Sequence, residues 1–248
     1  EPIVETVEKH VDTTTEKVIN AVKTNKKSTI TVLLFHLLDL KSRIEQFSVP
    51  IHPDIRICLM ILLQEQPEFF TQCDISLKKI IADNKLKGKV LIGIQAVSFP
   101  TKSYRDWPIE HFLELCKKVI DKNQNVHFLI YGGCAEKEKE KNNLLLNGLA
   151  GNATSFIGMP LRETAAIMSK TNLYIGVDTG PTHIMSTFDI PMVVLFHCQL
   201  KSEVYGALEH PCYFAIDHPD DKKCSEDSTM SDIPVKVVLD TVNKILEK

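Results

Sequence analysis

Six short apolar runs set the architecture of most of this chain: KVLIGI (Lys89 to Ile94), VHFLIY (Val126 to Tyr131), TSFIG (Thr154 to Gly158), LYIGV (Leu173 to Val177), MVVLF (Met192 to Phe196) and YFAI (Tyr213 to Ile216). They are apolar on both alternating faces, which suits strands covered from two sides. Between most of them lie stretches with helical spacing. In WPIEHFLELCKKVID the residues Ile109, Phe112, Leu113, Cys116, Val119 and Ile120 repeat every three or four positions, and Pro108 suits a first helical turn. PLRETAAIMSK places Leu161, Ala165 and Met168 on one side, and IPVKVVLDTVNKILEK carries Ile233, Val237, Val238, Val242 and Leu246. Strands alternating with helices predict an α/β fold, a doubly wound Rossmann-like domain over residues 86–248.

Residues 1–85 do not follow this rhythm. EPIVETVEKHVDTTTEKVINAVKTNKK is charged, lacks glycine and has helical apolar spacing, and a further helix is expected over Ile75 to Lys85, ending near Gly88. This region is expected to be a shorter, mainly helical part. The chain begins at Glu1 rather than Met, which suggests a processed or partial product. The net charge of −3 and pI near 6.3 show no basic stripe of the kind a nucleic-acid binder carries. The longest apolar run, Ile30 to Leu38, contains His36 and is far short of the roughly 20 residues that span a bilayer. Seven cysteines (58, 73, 116, 134, 198, 212 and 224) form no C-x-x-C pair, and together with the absence of a secretory signal they read as reduced thiols of a cytoplasmic protein.

The segment LYIGVDTGPTHIMSTF (Leu173 to Phe188) carries the chemistry. A strand ends at Val177, Asp178, Thr179 and Gly180 form a turn, and Pro181 opens a helix through His183. The carboxyl end of a parallel strand is where ligands of open α/β sheets bind. Unpaired N–H groups at a helix start attract anions such as a diphosphate. Gly180 lets a phosphate approach the backbone, Thr179 and Thr182 offer hydroxyls, and His183 offers a ring N–H. A purely structural alternative stands beside this: Asp178 or Thr179 caps the helix while Gly180 and Pro181 shape the turn.

The order of motifs resembles glycosyltransferase family 9, which includes the lipopolysaccharide heptosyltransferases. VDTGPTHIMSTFDIPMVVLF is similar to the family's D-[ST]-G-P-x-H turn and following strand, and YRDWPIEHF to its [KR]-x-W-P-x-E-x-[FW] element. YGGCAEKE is similar to a G-G-x-x-E turn, and PLRETAAIMSKTNLYIGVDTG to the run into the site. The resemblance spans roughly residues 86–248 and implies a GT-B fold whose C-terminal domain holds the nucleotide-sugar donor, probed at Asp178, Thr179, Gly180, Pro181, Thr182 and His183. It also implies that Arg105 or Lys102 neutralises phosphate charge, that Ser98 lies near the phosphates, and that Gly132 and Gly133 let a second turn approach the nucleotide. Each has a structural alternative: surface charges, a loop residue, a tight turn. Trp107 reads as a packing anchor and Glu136 as part of a solvated helix face, with a ribose hydroxyl as its functional alternative.

Two departures stand out. HCQLKSE (His197 to Glu203) replaces the family's G-P-T or G-P-S, and residues 1–85 lack the L-G-D-x-[VIL] turn that supplies its acceptor-side base. The resemblance implies inverting, metal-independent transfer of a heptose-like sugar, without a cofactor, from a nucleotide-diphosphate donor (ADP-heptose) to a lipid-linked or core-oligosaccharide acceptor, with possible peripheral contact at the inner membrane and no nucleic-acid partner. Catalytic residues are not assigned. The competing readings are a non-catalytic nucleotide-sugar-binding or accessory module and a GT-B-fold nucleotide-sugar epimerase.

Overall fold

The computed structural model describes Ala82 and residues 86–247, apart from 208–209, 220–223 and 226. The helical stretches expected before residue 86 lie outside the described residues, except that Ala82 is helical. Gly88, the expected helix terminator, has φ +80°, a backbone conformation that favours glycine.

All six expected strands form, each within one or two residues of its apolar run: β1 Val90–Gln95, β2 Val126–Gly132, β3 Ala153–Ile157, β4 Leu173–Val177, β5 Met192–Phe196 and β6 Tyr213–Asp217. Every pairing is parallel, in the order β3-β2-β1-β4-β5-β6. This is the doubly wound arrangement predicted from the sequence. The chain runs outward from β1 in one direction, then returns to place β4 on its other side. The crevice between the carboxyl ends of β1 and β4 is therefore the topological switch point.

Alternate residues of each central strand feed two separate cores. Ile92, Ile94, Phe128, Ile130, Ile175, Val193 and Leu195 pack on one face against α1 (Ile109–Lys122) and α6 (Val235–Leu246). Leu91, Leu129, Tyr131, Tyr174, Val194 and Phe196 pack on the other, with α3 (Leu161–Met168) and α4 (Gly180–Met185). Two covered faces explain why the strands are apolar throughout. Each fully buried aliphatic or aromatic side chain contributes about 1.5–3 kcal/mol.

Helix starts differ slightly from expectation. Pro108 and Pro160 occupy the residue before the first helical turn of α1 and α3, not the turn itself. In both, the proline backbone is extended (ψ 133° and 137°), so the ring fixes the entry to the helix. In α6 the buried face is Val235, Val238 and Val242, while Val237, expected inside, is 44% exposed. Two further helices, α2 (Glu136–Gly148) and α5 (Ser202–Tyr205), and two 3-10 turns, Pro100–Arg105 and Met230–Asp232, complete the described residues. Among them, no helix is long and apolar enough to cross a membrane.

Candidate functional site

Trp107 is the anchor from which the site is built. It is 1% exposed, packs edge-on against Phe112, and its indole N–H donates to the carbonyl of Ile233 at 3.0 Å. It serves packing, as the sequence suggested. The 3-10 turn after β1 is thereby pinned, and Arg105, two residues earlier, points into the protein. Asp106 holds the other side of the turn. Its Oδ1 accepts from the Ser98 N–H and hydroxyl, each at 2.6 Å, and its Oδ2 pairs with Lys141 of α2 at 2.7 Å.

Arg105 and Asp178 meet across the switch point. Nη1 of Arg105 lies 3.4 Å from Oδ2 of Asp178, with both side chains about 5% exposed or less. The His183 Nε2 lies 3.1 Å from Oδ1 of the same carboxylate. The Arg105 Nε donates to the Tyr104 hydroxyl at 3.4 Å, and its guanidinium lies 5.6 Å from that ring. Of its five N–H donors, two are engaged by these bonds among the described residues. Asp178 also lines one small cavity with Tyr205 and Tyr213. Burial, with the Asp178 charge adding to it, pushes the hydroxyls of Tyr174, Tyr205 and Tyr213 above the usual tyrosine range, so they remain neutral donors.

The turn bears on the choice between capping and binding. Thr179 occupies the N-cap position of α4, yet its side chain makes no capping hydrogen bond. Its Oγ1 is buried and, among the described residues, without a partner. The Oε1 of Gln95, at the end of β1, is orphaned in the same way. Unsatisfied buried polar atoms are rare in folded proteins and call for a ligand, water or ion. Gly180 faces open space: a Cβ there would meet nothing within 4 Å. The Thr179 side chain therefore does not cap α4.

Several expected contributors do other work. The Thr182 hydroxyl donates to the carbonyl of Val177 at 2.6 Å and meets the Tyr174 phenol at 2.8 Å, so it fastens α4 to β4 rather than facing a phosphate. Ser98 Oγ is engaged by the Lys102 carbonyl and Asp106, at 2.7 and 2.6 Å, and so fastens the loop after β1. Gly132 and Gly133 admit the Asn142 amide and the Glu138 carboxyl, which lie where Cβ atoms would be, so α2 fills the space expected for a nucleotide. With only six residues, α4 has little macrodipole, and Arg105 carries the positive charge instead. Lys102 is half-buried with its ammonium 5.8 Å from the Tyr104 ring, and Glu136 is exposed on α2.

Sequence reasoning passed over Gln95, Asp106, Glu138 and the two distal tyrosines. Gln95 had a signal, a lone amide ending an otherwise apolar strand. Glu138 had none, since EKEKEK looks uniformly solvated although Glu138 is only 7% exposed. Burial raises its carboxyl pKa, against the lowering effect of the Gly133 N–H. The cysteines also differ from expectation. Cys198 and Cys224 form a disulfide, because the loops after β5 and β6 converge at the same sheet edge despite 26 residues of separation. Cys116, Cys134 and Cys212 are free, while Cys58 and Cys73 lie outside the described residues.

A family model for glycosyltransferase family 9 (heptosyltransferase) matches residues 55–210. The chain belongs to this family. Among curated proteins, the lipopolysaccharide core heptosyltransferase OpsX of Haemophilus influenzae is 26% identical over 113 residues, 44% of this chain and 32% of that protein. Among solved structures, a glycosyl transferase family 9 protein of Veillonella parvula superimposes with a TM-score of 0.58 at 19% identity, covering 73% of this chain and 52% of its own. The ADP-heptose lps heptosyltransferase II of E. coli gives 0.53 at 19% identity, covering 64% and 47%. The chain thus spans about a third to a half of the length of these relatives, and shares their Rossmann-like fold.

Proposed function

We propose that residues 86–248 form the nucleotide-sugar donor domain of an inverting glycosyltransferase, with residues 1–85 belonging to the acceptor side. The observation that carries this reading is the cluster of buried Arg105 and Asp178 with half-buried His183 at the β1–β4 switch point. A guanidinium held there suits a diphosphate, whose oxygens it can grip in pairs.

In the reaction, the oxygen of an acceptor hydroxyl bonds the anomeric carbon of the sugar on the face opposite the diphosphate. The bond from that carbon to the phosphate oxygen breaks, the hydroxyl proton passes to a base on the acceptor side, and negative charge collects on the leaving diphosphate. Stabilising that charge is the donor domain's contribution. Arg105 supplies the positive charge, with Lys102 at the rim. Asp178 aims the guanidinium and holds His183. The Thr179 hydroxyl and the Gly180 N–H serve the phosphate oxygens, and Pro181 shapes the turn that presents them. The charge of Arg105 takes the part that a divalent metal plays elsewhere, so transfer needs none. The donor proposed is ADP-heptose and the acceptor a lipopolysaccharide core oligosaccharide, in line with the lipopolysaccharide core heptosyltransferase and ADP-heptose lps heptosyltransferase that the chain resembles; we place the reaction at the cytoplasmic face of the inner membrane.

Calorimetric titration of the full chain with ADP, UDP and GDP sugars tests this. Tightest binding is expected for an ADP sugar, with His183→Gln weakening it about tenfold or more, the loss of one charge-assisted hydrogen bond. Binding of no nucleotide would refute the donor site. Binding without turnover on core-oligosaccharide acceptors would leave a nucleotide-sugar-binding module.

A further inference from the structure

His197 opens the segment in which this chain departs from its family's G-P-T or G-P-S loop. It follows β5 directly and is 1% exposed. Its ring meets that of Tyr104 edge to face, with centroids 5.0 Å apart and planes at 74°. Tyr104 belongs to the 3-10 turn after β1, and β4 lies between β1 and β5. Neighbouring strands are about 4.8 Å apart, so the two loops start about 9.6 Å from each other. The turn that carries Asp178 leaves the strand between them. The ring pair therefore joins the loops on either side of that turn.

Tyr104 also gathers the cations of the site. Arg105 Nε donates to its hydroxyl at 3.4 Å, the guanidinium lies 5.6 Å from its ring, and the Lys102 ammonium lies 5.8 Å from it. Charge-assisted hydrogen bonds run about 2.7–2.9 Å. At 3.4 Å, neither the Tyr104 hydroxyl nor Asp178 Oδ2 fixes the guanidinium by itself. The ring supplies what those long bonds lack, because a cation near an aromatic face is attracted by its quadrupole and packed by its surface.

We propose that Tyr104 is a positioning residue for Arg105, and that His197 holds Tyr104 in place for that task. This rests on the donor-site reading and deepens it. A guanidinium whose direction is set before the donor arrives loses little freedom in gripping a diphosphate. His197 is anchored in turn. Its Nε2 lies 2.9 Å from the Ser228 carbonyl oxygen, its Nδ1 accepts the Gln199 N–H at 3.3 Å, and the Cys198–Cys224 disulfide fastens the next residue to the loop after β6. A glycine at position 197 offers Tyr104 no ring, so the departure from the family's loop is a change in how the arginine is held.

The test uses the full chain, isotope-labelled, as wild type, His197→Gly, His197→Phe, Tyr104→Leu and Tyr104→Phe. Solvent exchange of the Arg105 Nε–H, assigned by its absence in Arg105→Met, is followed by NMR, and ADP affinity by calorimetry. An edge-to-face aromatic pair is worth up to about tenfold in an equilibrium constant. His197→Gly should therefore raise both the exchange rate and the ADP dissociation constant by about threefold to tenfold, and His197→Phe, which restores a ring, should return both to within about twofold of wild type. Tyr104→Leu should weaken ADP binding by about tenfold or more, and Tyr104→Phe by less, since its ring remains. Tyr104 is half-buried, so its pair of variants decides the matter if a His197 variant misfolds. Loss of packing alone would lower the melting temperature and leave the Arg105 signal unchanged. The proposal is overturned if Arg105 Nε–H exchange in His197→Gly or Tyr104→Leu matches wild type, if folded His197→Phe fares no better than His197→Gly, or if Tyr104→Phe binds ADP as weakly as Tyr104→Leu. An Arg105 signal that responds as expected in a wild type that binds no ADP would refute the donor reading and leave the positioning standing.

Discussion

Replacing Arg105 with methionine would leave the Asp178 carboxylate in a site where its side chain is 5% exposed, with the Arg105 charge gone. Breaking a buried ion pair from one side costs about 3–5 kcal/mol, because the remaining charge stays desolvated. Two features place the cost near the lower end, about 3 kcal/mol. The pair is 3.4 Å apart rather than in close bidentate contact, and His183 remains 3.1 Å from the same carboxylate. For a chain of this size, each kcal/mol moves the melting temperature by about 2–4 °C, so Arg105→Met should melt about 6–12 °C lower. Adding Asp178→Asn removes the stranded charge and should recover about half of that loss. Thermal unfolding by circular dichroism of wild type, both single variants and the double variant closes the cycle. A single variant within about 0.5 kcal/mol of wild type, or a double variant no more stable than Arg105→Met, would show that the two residues do not hold each other.

Thr182→Val deletes the hydroxyl that joins Val177 and Tyr174, and should cost about 1–3 kcal/mol in urea unfolding while leaving the affinity for ADP unchanged; a selective loss of affinity would return Thr182 to the phosphate site. Gly176→Ala sets a Cβ 2.8 Å from the Tyr174 phenol oxygen, so Tyr174 must withdraw from Thr182, with an expected cost of about 1–3 kcal/mol; a neutral variant would mean that the phenol is not confined there. Burial raises the Glu138 pKa, so the folded protein holds that proton more tightly than the unfolded chain. Stability from this group is full below the unfolded carboxyl pKa of about 4.3 and falls as pH rises through the folded value. Melting of Glu138→Gln should therefore gain on wild type as pH rises above the unfolded carboxyl value, and parallel profiles would contradict the assignment.

What the sequence revealed and what it concealed follow from the range of the interactions. The strands were legible because burial on both faces leaves no polar positions in LYIGV or MVVLF. The DTGPTH turn was legible because strand, turn and helix are consecutive. Its principal partner was not, since Arg105 and Asp178 are 73 residues apart and meet only because β1 and β4 are neighbours. The Thr182 partners were hidden for a related reason: one hydroxyl near a turn looks alike whether it faces a ligand or the Tyr174 phenol. In EKEKEK, alternating charge concealed Glu138, which α2 turns inward against Gly133, just past β2. The Cys198–Cys224 bond has no spacing signature, because it joins two separate loops at one sheet edge.

The most direct test of the central claim is a crystal structure of the protein soaked with ADP. The diphosphate should lie between the Arg105 guanidinium and the Thr179–Gly180 turn, within about 2.7–2.9 Å of a guanidinium nitrogen, the spacing of a charge-assisted hydrogen bond. ADP bound away from the β1–β4 crevice, with Arg105 and Thr179 untouched, would contradict the account.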